Sequence, residues 1–486
     1  MLFRSLMGGL RWSPYFVPYD IYGRSSYFDQ ADYTAGLHSA KFNNAPPGVF
    51  FPGDTIPGHG AYPRAGTHSR VWNFAPRIGL AWDPTGSGRW SVRSSYGVFY
   101  ADPEMAFFET YSYIAPYGNQ ISLTSPAGGL SAPYAAIPGG DPFPLPFPPP
   151  HNVPFVAAGE FYTLPLHINP PNTQQWNLSV QRQVGGELLL TASYIGNKST
   201  HRWLGIPLDP AVYIPGTCGK NPCSTTGNTQ ARRVLSLINP TAGALIGSVP
   251  YTDDGGNADY NGLLLSANRR FSGNFSVLAN YAWSHCLSEG EADAEGGGGS
   301  IQDPNNIRAS RGNCISDVRQ IFNLSYIVTS PHFENSLVNK VFSNWQQAGI
   351  MGASTGTWLT PLDGQDVSLT NVGNDRPNVV GNSHLSNRTV HEWFNTAAYA
   401  KQATGTYGNA GSYSIVGPGS FTFDAELSRS FKVWESQSLQ LRFEAFNALN
   451  HPVFNNPTTT LTSSNFGRIL TANNPRILQA AIKYVF

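Results

Sequence analysis

Segments along the whole chain alternate apolar and polar side chains with a period of two residues. In the last of them, 476–486, one parity holds Leu478, Ala480, Ile482, Tyr484 and Phe486, whereas the other holds Gln479, Ala481 and Lys483. Successive side chains of a strand point to opposite faces, so this period predicts a strand with one apolar face. A membrane-spanning strand needs about 9–11 residues. The C-terminal segment therefore has the length to cross a bilayer.

The same pattern predicts twelve strands, at 8–17, 71–82, 90–100, 174–184, 187–196, 260–271, 274–284, 319–329, 345–354, 421–431, 437–446 and 477–486. In 421–431 the apolar parity is interrupted only by Arg429, close to the end of the segment. A basic residue costs little near a membrane interface compared with the bilayer midplane. Arg429 is therefore compatible with a membrane strand.

The connections between these segments alternate between short ones, of two to 15 residues, and long ones, of 30 to 73 residues. Three short ones carry residues that favour tight turns, at 83–89, Gly185-Gly186 and Ser272-Gly273. Outer-membrane barrels have short turns on one rim and long loops on the other. The alternation predicts a transmembrane antiparallel β-barrel of about 12 strands.

The composition limits the classes of protein to which this chain can belong. Charged residues make up 12% of the chain, against roughly 25% in soluble domains. The net charge is zero, so we expect no nucleic-acid partner. No apolar run reaches the 18 or so residues of a membrane helix, which excludes a bundle of membrane helices. The first residues lack the apolar core of a signal peptide, so we expect an exported protein of this sequence to be a fragment.

The four cysteines fall into two pairs, Cys218 with Cys223 and Cys286 with Cys314. The spacing contains no CxxC and no accompanying histidine cluster, which favours disulfides. Free thiols and a metal site stay open as alternatives.

Several sequence segments resemble those of one known family. They are NFAPRIGLAWDP at 73–84, QQWNLSVQRQ at 174–183, LTASYIGNKSTH at 190–201, DVRQIFNLSYIV at 317–328 and RFEAFNALNHPVFNNP at 442–457. Together with the closing aromatic they are similar to the C-terminal β-barrel of TonB-dependent outer-membrane receptors, in the Oar-like group with a carboxypeptidase-regulatory-like domain. The resemblance implies TonB-dependent uptake of a bulky nutrient through a plugged barrel of about 22 strands. Residues 1–486 would form a partial barrel of such a receptor, its C-terminal half, without plug or N-terminal domain.

The resemblance also implies a sidedness and a set of partners. Phe486 would end in the periplasm as an assembly signal for the barrel assembly machinery, and the TonB complex would act only where a plug is present. Every short turn then lies in the periplasm, and both cysteine pairs lie outside. The long loops, including the proline-rich 141–150 and the glycine run in 291–300, would capture the ligand. Outer-membrane lipid would surround the strands.

The sequence contains few candidate motifs for catalysis or metal binding. Gly352 to Gly356 satisfies the G-x-S-x-G string, but the following residues do not predict the helix that a nucleophile elbow needs. No histidine motif for a metal is present; His391 and Glu392 lack a second ligand. We therefore expect no enzymatic activity, no metal and no cofactor.

Charged residues on the polar faces of the strands 421–431 and 437–446 predict an ionic ladder along the lumen, made by Asp424, Glu426, Arg442 and Glu444. A hairpin centred on Trp434 would set Glu426 opposite Arg442 and Asp424 opposite Glu444. A glycosidase-like carboxylate pair is the less favoured alternative.

Loop residues supply two further candidates. The acidic run Glu289, Glu291, Asp293 and Glu295 could bind Ca²⁺, although a solvated loop is favoured over a metal site. Aromatic residues near strand ends predict interfacial girdles, whereas the loop residues Trp203, Trp358 and Trp393 are candidates for stacking on a sugar ligand. Two other functions stay open: a self-standing 12-stranded porin, and a soluble all-β surface protein that binds carbohydrate.

Overall fold

Twelve long antiparallel strands follow one another in a single sheet. The computed structural model describes all residues except 1–3, 102–107, 119–127, 136–139, 142, 145, 291–300, 374 and 435–436. The strands are β1 (Arg4–Trp12), β2 (Phe74–Trp82), β3 (Trp90–Tyr100), β4 (Asn172–Val184), β5 (Leu188–Pro207), β6 (Pro250–Ser272), β7 (Phe275–Glu289), β8 (Gln320–Thr329), β9 (Trp345–Ser354), β10 (Ser420–Trp434), β11 (Gln437–Phe446) and β12 (Ile477–Val485). A short strand, Arg311–Asn313, pairs with the end of β7. The prediction of twelve antiparallel strands is confirmed.

The strand boundaries differ most at β1 and at β5 to β7. The first strand covers 4–12 and not 8–17, because Pro14 and Pro18 cannot donate ladder hydrogen bonds. Strands β5, β6 and β7 run past the predicted ends, to Pro207, from Pro250 and to Glu289. The extensions of β6 and β7 are largely polar, and that of β5 mixes polar residues with Leu204 and Ile206. No regular apolar alternation therefore marks them in the sequence.

Short turns join the strands at one end of the sheet, which we call the turn rim. The turn 273–274 is made by Gly273 and Asn274, with φ of 56° and 75°, the left-handed values that two-residue hairpins favour. In the turn 83–89, the carboxylate of Asp83 accepts hydrogen bonds from the backbone N–H groups of Thr85, Gly86 and Gly88 at 3.0, 3.0 and 2.7 Å. Helix Ser336–Phe342 lies in the longest turn, 330–344.

The cross-strand register gives the sheet one apolar face and one polar face. On the apolar face, Leu265 is opposite Ala192 and Tyr281, and Tyr281 is opposite Phe322. One residue away, on the polar face, Ser266 is opposite Thr191 and Asn280. Tryptophans border the apolar face near both rims: Trp82, Trp90 and Trp345 near the turn rim, and Trp176 and Trp283 towards the other.

The sheet is open in the structure. Strand β1 pairs with β2 and β12 pairs with β11, and in the described residues the two terminal strands do not pair with each other. Closure of twelve strands on themselves, which the porin alternative requires, is therefore not observed. Unpaired strand edges do not occur against lipid, so both edges need a partner strand in a membrane.

The six long connections, 13–73, 101–171, 208–249, 290–319, 355–419 and 447–476, form what we call the loop cap. Its helices are Gln30–Thr34, Thr229–Arg232, Val234–Ile238 and Pro240–Gly243, with 3₁₀ turns at Thr110–Tyr113, Gly129–Ser131, Thr226–Asn228, Ile307–Ser310 and Thr396–Ala398. Its two-stranded pairs are Tyr27–Phe28 with Val49–Phe50, Thr55–Ile56 with Gly60–Ala61, Gly159–Glu160 with Ile246–Ser248, Thr217–Cys218 with Asn221–Pro222, Trp358–Leu359 with Ile415–Val416, and Asn378–Val379 with Tyr399–Ala400. No helix in the described ranges is long and apolar enough to span a membrane.

The main hydrophobic core lies in the loop cap. Its largest cluster joins the connections 13–73, 101–171 and 208–249 through Phe42, Phe51, Phe155, Phe161, Leu235 and Ile246, among others. A separate cluster in 355–419 contains Phe394, Tyr399 and Ile415. The long connections therefore fold as packed structure and are not extended surface loops.

Candidate functional site

Strands β10 and β11 bring four charged residues to the polar face of the sheet. Glu426 lies directly opposite Glu444, and Ser428 lies opposite Arg442. The predicted pairing of Glu426 with Arg442 and of Asp424 with Glu444 is therefore wrong by two residues. Trp434 pairs with Gln437, and the register shifts between Lys432 and Trp434. A hairpin of that kind cannot be centred on Trp434.

The four residues still form one cluster. The Arg442 guanidinium lies 3.2 Å from Glu426 and also contacts Glu444, while Asp424 accepts a hydrogen bond of 2.8 Å from the backbone N–H of Asn447. Like charges directly opposite each other destabilise a sheet, and Arg442 offsets that repulsion. Because the guanidinium contacts both glutamates, it occupies the space that a glycosidase substrate would need between them.

The G-x-S-x-G string has no nucleophile-elbow geometry. Ser354 is the last residue of β9, and its hydroxyl lies 2.8 Å from that of Ser420 on β10. The chain continues into the short strand Trp358–Leu359 and not into a helix, so the turn that a nucleophile elbow needs is missing. Within the described part of the chain no group of three His, Cys, Asp or Glu side chains is placed to hold a metal.

The three candidate tryptophans occupy different environments, and the expectation that Trp203 lies in a loop is wrong, because β5 extends through it to Pro207. Trp203 donates its indole N–H to the carbonyl of Asn169 at 2.8 Å and packs against a buried cluster. Trp393 donates to the carbonyl of Val416 at 2.8 Å and also packs against a buried cluster. The indole nitrogen of Trp358 has no acceptor among the described residues, and its side chain lines a pocket. Two of the three indole donors are thus already used within the fold.

The acidic run is described only at its first residue. Glu289 lies 3.4 Å from Arg311, and it accepts a hydrogen bond of 2.9 Å from Asn257. Arg311 also lies 2.6 Å from Asp259, which is 2.8 Å from Lys198. Glu291, Asp293 and Glu295 lie outside the described residues, as does the glycine run. Glu289 therefore belongs to an ionic network on the extended ends of β5 to β7, which no sequence pattern indicated.

Both cysteine pairs are bonded in the structure, Cys218 to Cys223 and Cys286 to Cys314. The second bond joins the end of β7 to the connection 290–319. The backbone N–H of Cys286 also donates to the buried carboxylate of Asp317 at 3.0 Å. Both bonds thus lie at the end of the sheet that carries the loop cap.

Buried charged residues inside the loop cap were not indicated by the sequence. The side chain of Arg232 donates to the carbonyls of Val212 and Leu369 at 2.7 and 2.9 Å, and that of Arg376 donates to the carbonyl of Ala309 at 3.0 Å. These bonds tie 208–249 to 355–419 and 355–419 to 290–319. The long connections are therefore linked to one another and not only to the sheet.

Asp209 is the most strongly perturbed carboxylate of the loop cap. It is buried, accepts a hydrogen bond of 2.8 Å from the backbone N–H of Leu235, and receives one from Arg233 only at its backbone carbonyl. Burial raises the pKa of Asp209 to about 6, against the opposing effects of that hydrogen bond and of the Arg233 charge. The carboxyl group of Asp209 therefore gains or loses its proton at mildly acidic pH.

Residues 5–479 match the family model described as outer membrane beta barrel domain. The chain belongs to this family. No curated protein sequence matches it.

Three solved structures are similar to this chain at low identity. The outer membrane transporter YddB from Escherichia coli is 10% identical with a TM-score of 0.44, over 85% of this chain and 41% of that one. The siderophore receptor PiuA from Acinetobacter baumannii is 11% identical (TM-score 0.39, 84% and 35%). The pyoverdine outer membrane receptor FpvA from Pseudomonas aeruginosa PAO1 is also 11% identical (TM-score 0.40, 86% and 37%). The chain spans less than half the length of each.

For an outer membrane beta barrel, the two faces of the sheet acquire distinct roles. The apolar face, with Leu478 and Ile482 exposed by 71% and 73%, is the face suited to contact lipid, and the Arg442 cluster lies on the opposite, polar face. The basic exception Arg429 lies at the turn rim, where it donates to the carbonyls of Lys340 and Val341 at the end of helix Ser336–Phe342. The chain is thus an outer-membrane β-barrel protein whose loop cap stands at one rim.

Proposed function

We propose that this chain is part of a TonB-dependent receptor of the Oar-like group, and that its loop cap captures a bulky nutrient for uptake. The observation that carries the proposal is the contrast between the rims. One rim has short turns, whereas the other carries a packed cap of interlinked connections. Extracellular loops are the long ones in barrels of this kind, so the cap is the surface that a nutrient meets first.

The open sheet supports the larger barrel over the 12-stranded porin. Among the described residues, β1 and β12 each have one edge without a paired strand, and further strands would cover both edges in a barrel of about 22 strands. In that arrangement residues 1–486 form the C-terminal half. A plug inside such a barrel would face the polar wall, and the TonB complex would act through it. Phe486 would direct the strands to the barrel assembly machinery.

The chain acts in this proposal as a wall and a ligand trap, without catalysis. Glu426 and Glu444 are both held by Arg442, and Ser354 lacks the elbow geometry. The lumen residues therefore serve to line a translocation path.

Labelling of single cysteines in intact cells tests the sidedness. All four native cysteines are bonded, so an added thiol is the reactive one. A membrane-impermeant maleimide should label Asn387→Cys in the loop cap, whereas Glu334→Cys at the turn rim should be labelled only after lysis. Labelling of Glu334→Cys in intact cells would overturn the orientation, and a protein that stays in the soluble fraction would overturn the membrane assignment.

Cross-linking between the sheet edges separates the two barrel sizes. Cysteine pairs scanned along Gly8 to Leu10 in β1 and Gln479 to Ala481 in β12 should not form disulfides in the membrane if further strands lie between them. Efficient cross-linking of one register would instead establish the closed 12-stranded porin.

A further inference from the structure

A pocket of about 450 Å³ opens among the loops beyond the ends of β9 and β10. Four separate stretches of the loop cap line it: Ile315, the run 357–362, Tyr413, and the stretch with Asn456 and Thr459. Its volume lies within the range of about 300–1,000 Å³ that is typical of small-molecule sites. Because the stretches come from three different connections, the pocket exists only when the loop cap is folded.

The walls of the pocket combine two kinds of side chain. The apolar and aromatic ones are Ile315, Trp358, Leu359, Leu362 and Tyr413. The polar ones are neutral, namely Thr357, Thr360, Asn456 and Thr459. None of the lining residues that the structure describes carries a charge. A charged ligand would lose its hydration here without gaining a counter-charge from the lining, which costs several kcal/mol by order of magnitude. The nearby guanidinium of Arg319 is already paired with Asp317 at 3.4 Å.

Hydrogen bonds among the lining residues and their neighbours hold the pocket in shape. The backbone N–H of Tyr413 donates to Thr360 at 3.0 Å, and Asn313 donates to the Tyr413 carbonyl at 2.8 Å. Tyr413 adopts a left-handed backbone with φ of 46°, a strained conformation that persists only where the surroundings fix it. The side chain of Asn456 donates to Thr357 at 3.3 Å. A ligand therefore meets walls that are already ordered.

Trp358 is the side chain of this pocket whose bonding is incomplete. Its indole nitrogen is buried and has no acceptor in the described structure, a state that costs about 1–3 kcal/mol. One face of the ring is covered by the Arg319 guanidinium, 5.4 Å from the ring centre. Trp203 and Trp393, by contrast, have acceptors and pack in buried clusters.

We propose that this pocket binds one ring of a neutral, hydroxyl-rich ligand, a hexose unit of an oligosaccharide. A sugar ring has apolar C–H faces that pack on Trp358 and Tyr413, and hydroxyls that can bond to threonine and asparagine side chains. An acyl chain would leave unused the hydrogen-bonding capacity that remains on these side chains, and an ionic ligand would find no counter-charge in the lining. The assignment rests on the proposed capture of a nutrient by the loop cap and names the chemistry of that nutrient.

Calorimetric titration of the detergent-solubilised, disulfide-bonded full chain tests the assignment. The probes are maltotriose, cellotriose and chitotriose, with trigalacturonate as the charged counterpart. We expect at least one neutral probe to bind, and we expect Trp358→Ala to weaken it tenfold or more. Trp358→Phe, which keeps a ring face but lacks the N–H, should lie between that variant and the unmodified chain. Trigalacturonate should not bind.

Trp203→Phe is the matched control, because it removes an indole donor that the fold already uses. It should leave the affinity for the neutral probe unchanged, and near-ultraviolet circular dichroism should show that Trp358→Ala retains the folded cap. Absence of binding by all three neutral probes up to about 10 mM would overturn the proposal, as would a Trp358→Ala variant that binds as tightly as the unmodified chain. Neither result would affect the thiol labelling, which tests the proposed function separately.

Discussion

Leu478 and Ile482 in β12 are 71% and 73% exposed, whereas Phe51 and Phe161 in the loop cap are 0% exposed. The same kinds of side chain thus face outward in the sheet and inward in the cap. In water the sheet face would be a large exposed apolar surface, and its exposure would cost free energy. Contact with lipid removes that cost. The cap buries its apolar groups against itself, as a soluble domain does. One chain therefore contains two regions that are stabilised by different solvents.

The largest expected effect comes from the core of the cap. Phe51→Ala leaves a cavity in a fully buried aromatic cluster and should cost about 3–5 kcal/mol of cap stability. The measurement is the denaturant dependence of protease cleavage in the cap, with the strands still in lipid. Phe16→Ala is the control, since Phe16 is 66% exposed in the same region, and it should cost less than about 1 kcal/mol. Equal costs would show that the cap is not packed as described.

Placing a charge on each face of the sheet tests the other side of the comparison. Leu265→Lys puts an ammonium on the apolar face, in the middle of the row formed with Ala192 and Tyr281, and should cost about 2–4 kcal/mol of folding free energy in vesicles. Ser266→Lys puts it one residue away on the polar face, where the cost should be below about 1 kcal/mol. Urea titration in lipid vesicles measures both. A larger cost at Ser266 would reverse the assignment of the two faces.

Acidic pH should distinguish the cap from the sheet. The folded pKa of Asp209 is about 6, above the ordinary value of about 4, so the folded state binds more protons than the unfolded state in this window. The contribution of Asp209 to the free energy of unfolding is fully present below about pH 4. It decreases by about 2–3 kcal/mol as the pH rises through about 6. The cap should therefore resist unfolding better at pH 4 than at pH 7.

Asp209→Asn should remove most of that dependence, because the amide stays neutral and can still accept from Leu235. Hydrogen exchange of 208–249 between pH 4 and 7, corrected for intrinsic rates, measures it. The pKa of nearby Glu160 is also raised by burial, so a smaller slope of the same sign should remain. An unchanged slope in the variant would remove Asp209 as its source.

The period-two pattern found the sheet because each membrane strand must alternate its two faces. It missed the extensions of β5 to β7, where ladder hydrogen bonds continue beyond the regular alternation. It could not reveal the cap, since Phe42, Phe155 and Ile246 meet from distant connections with no shared period. Packing among irregular segments depends on contacts that a local pattern does not encode.

The candidate site was also predictable only in part, because the period-two alternation gives the face of each residue but not its cross-strand partner. Parity alone places Asp424, Glu426, Arg442 and Glu444 on one face, and the structure brings them together. Their pairing depends on the register of β10 against β11. A shift of that register by two residues keeps the same face but changes which charged residues lie opposite each other. The buried charges Asp209, Arg232 and Arg376 carry no sequence signal, because their partners are mostly backbone groups of other segments.

The smallest expected effect belongs to that corrected register. If Arg442 bridges two glutamates that face each other, double-mutant cycles of Arg442→Met with Glu426→Gln and with Glu444→Gln should each give a coupling of about 0.2–1 kcal/mol in vesicle folding. The register that the sequence predicts pairs Arg442 with Glu426 directly and places Glu444 opposite Asp424, so it favours coupling to Glu426. Glu426→Gln alone should also relieve repulsion from Glu444, which makes the single variant close to neutral. Because these groups are partly exposed, both couplings should shrink at high salt. Coupling to Glu426 alone would favour the simple cross-strand pair over the bridged arrangement.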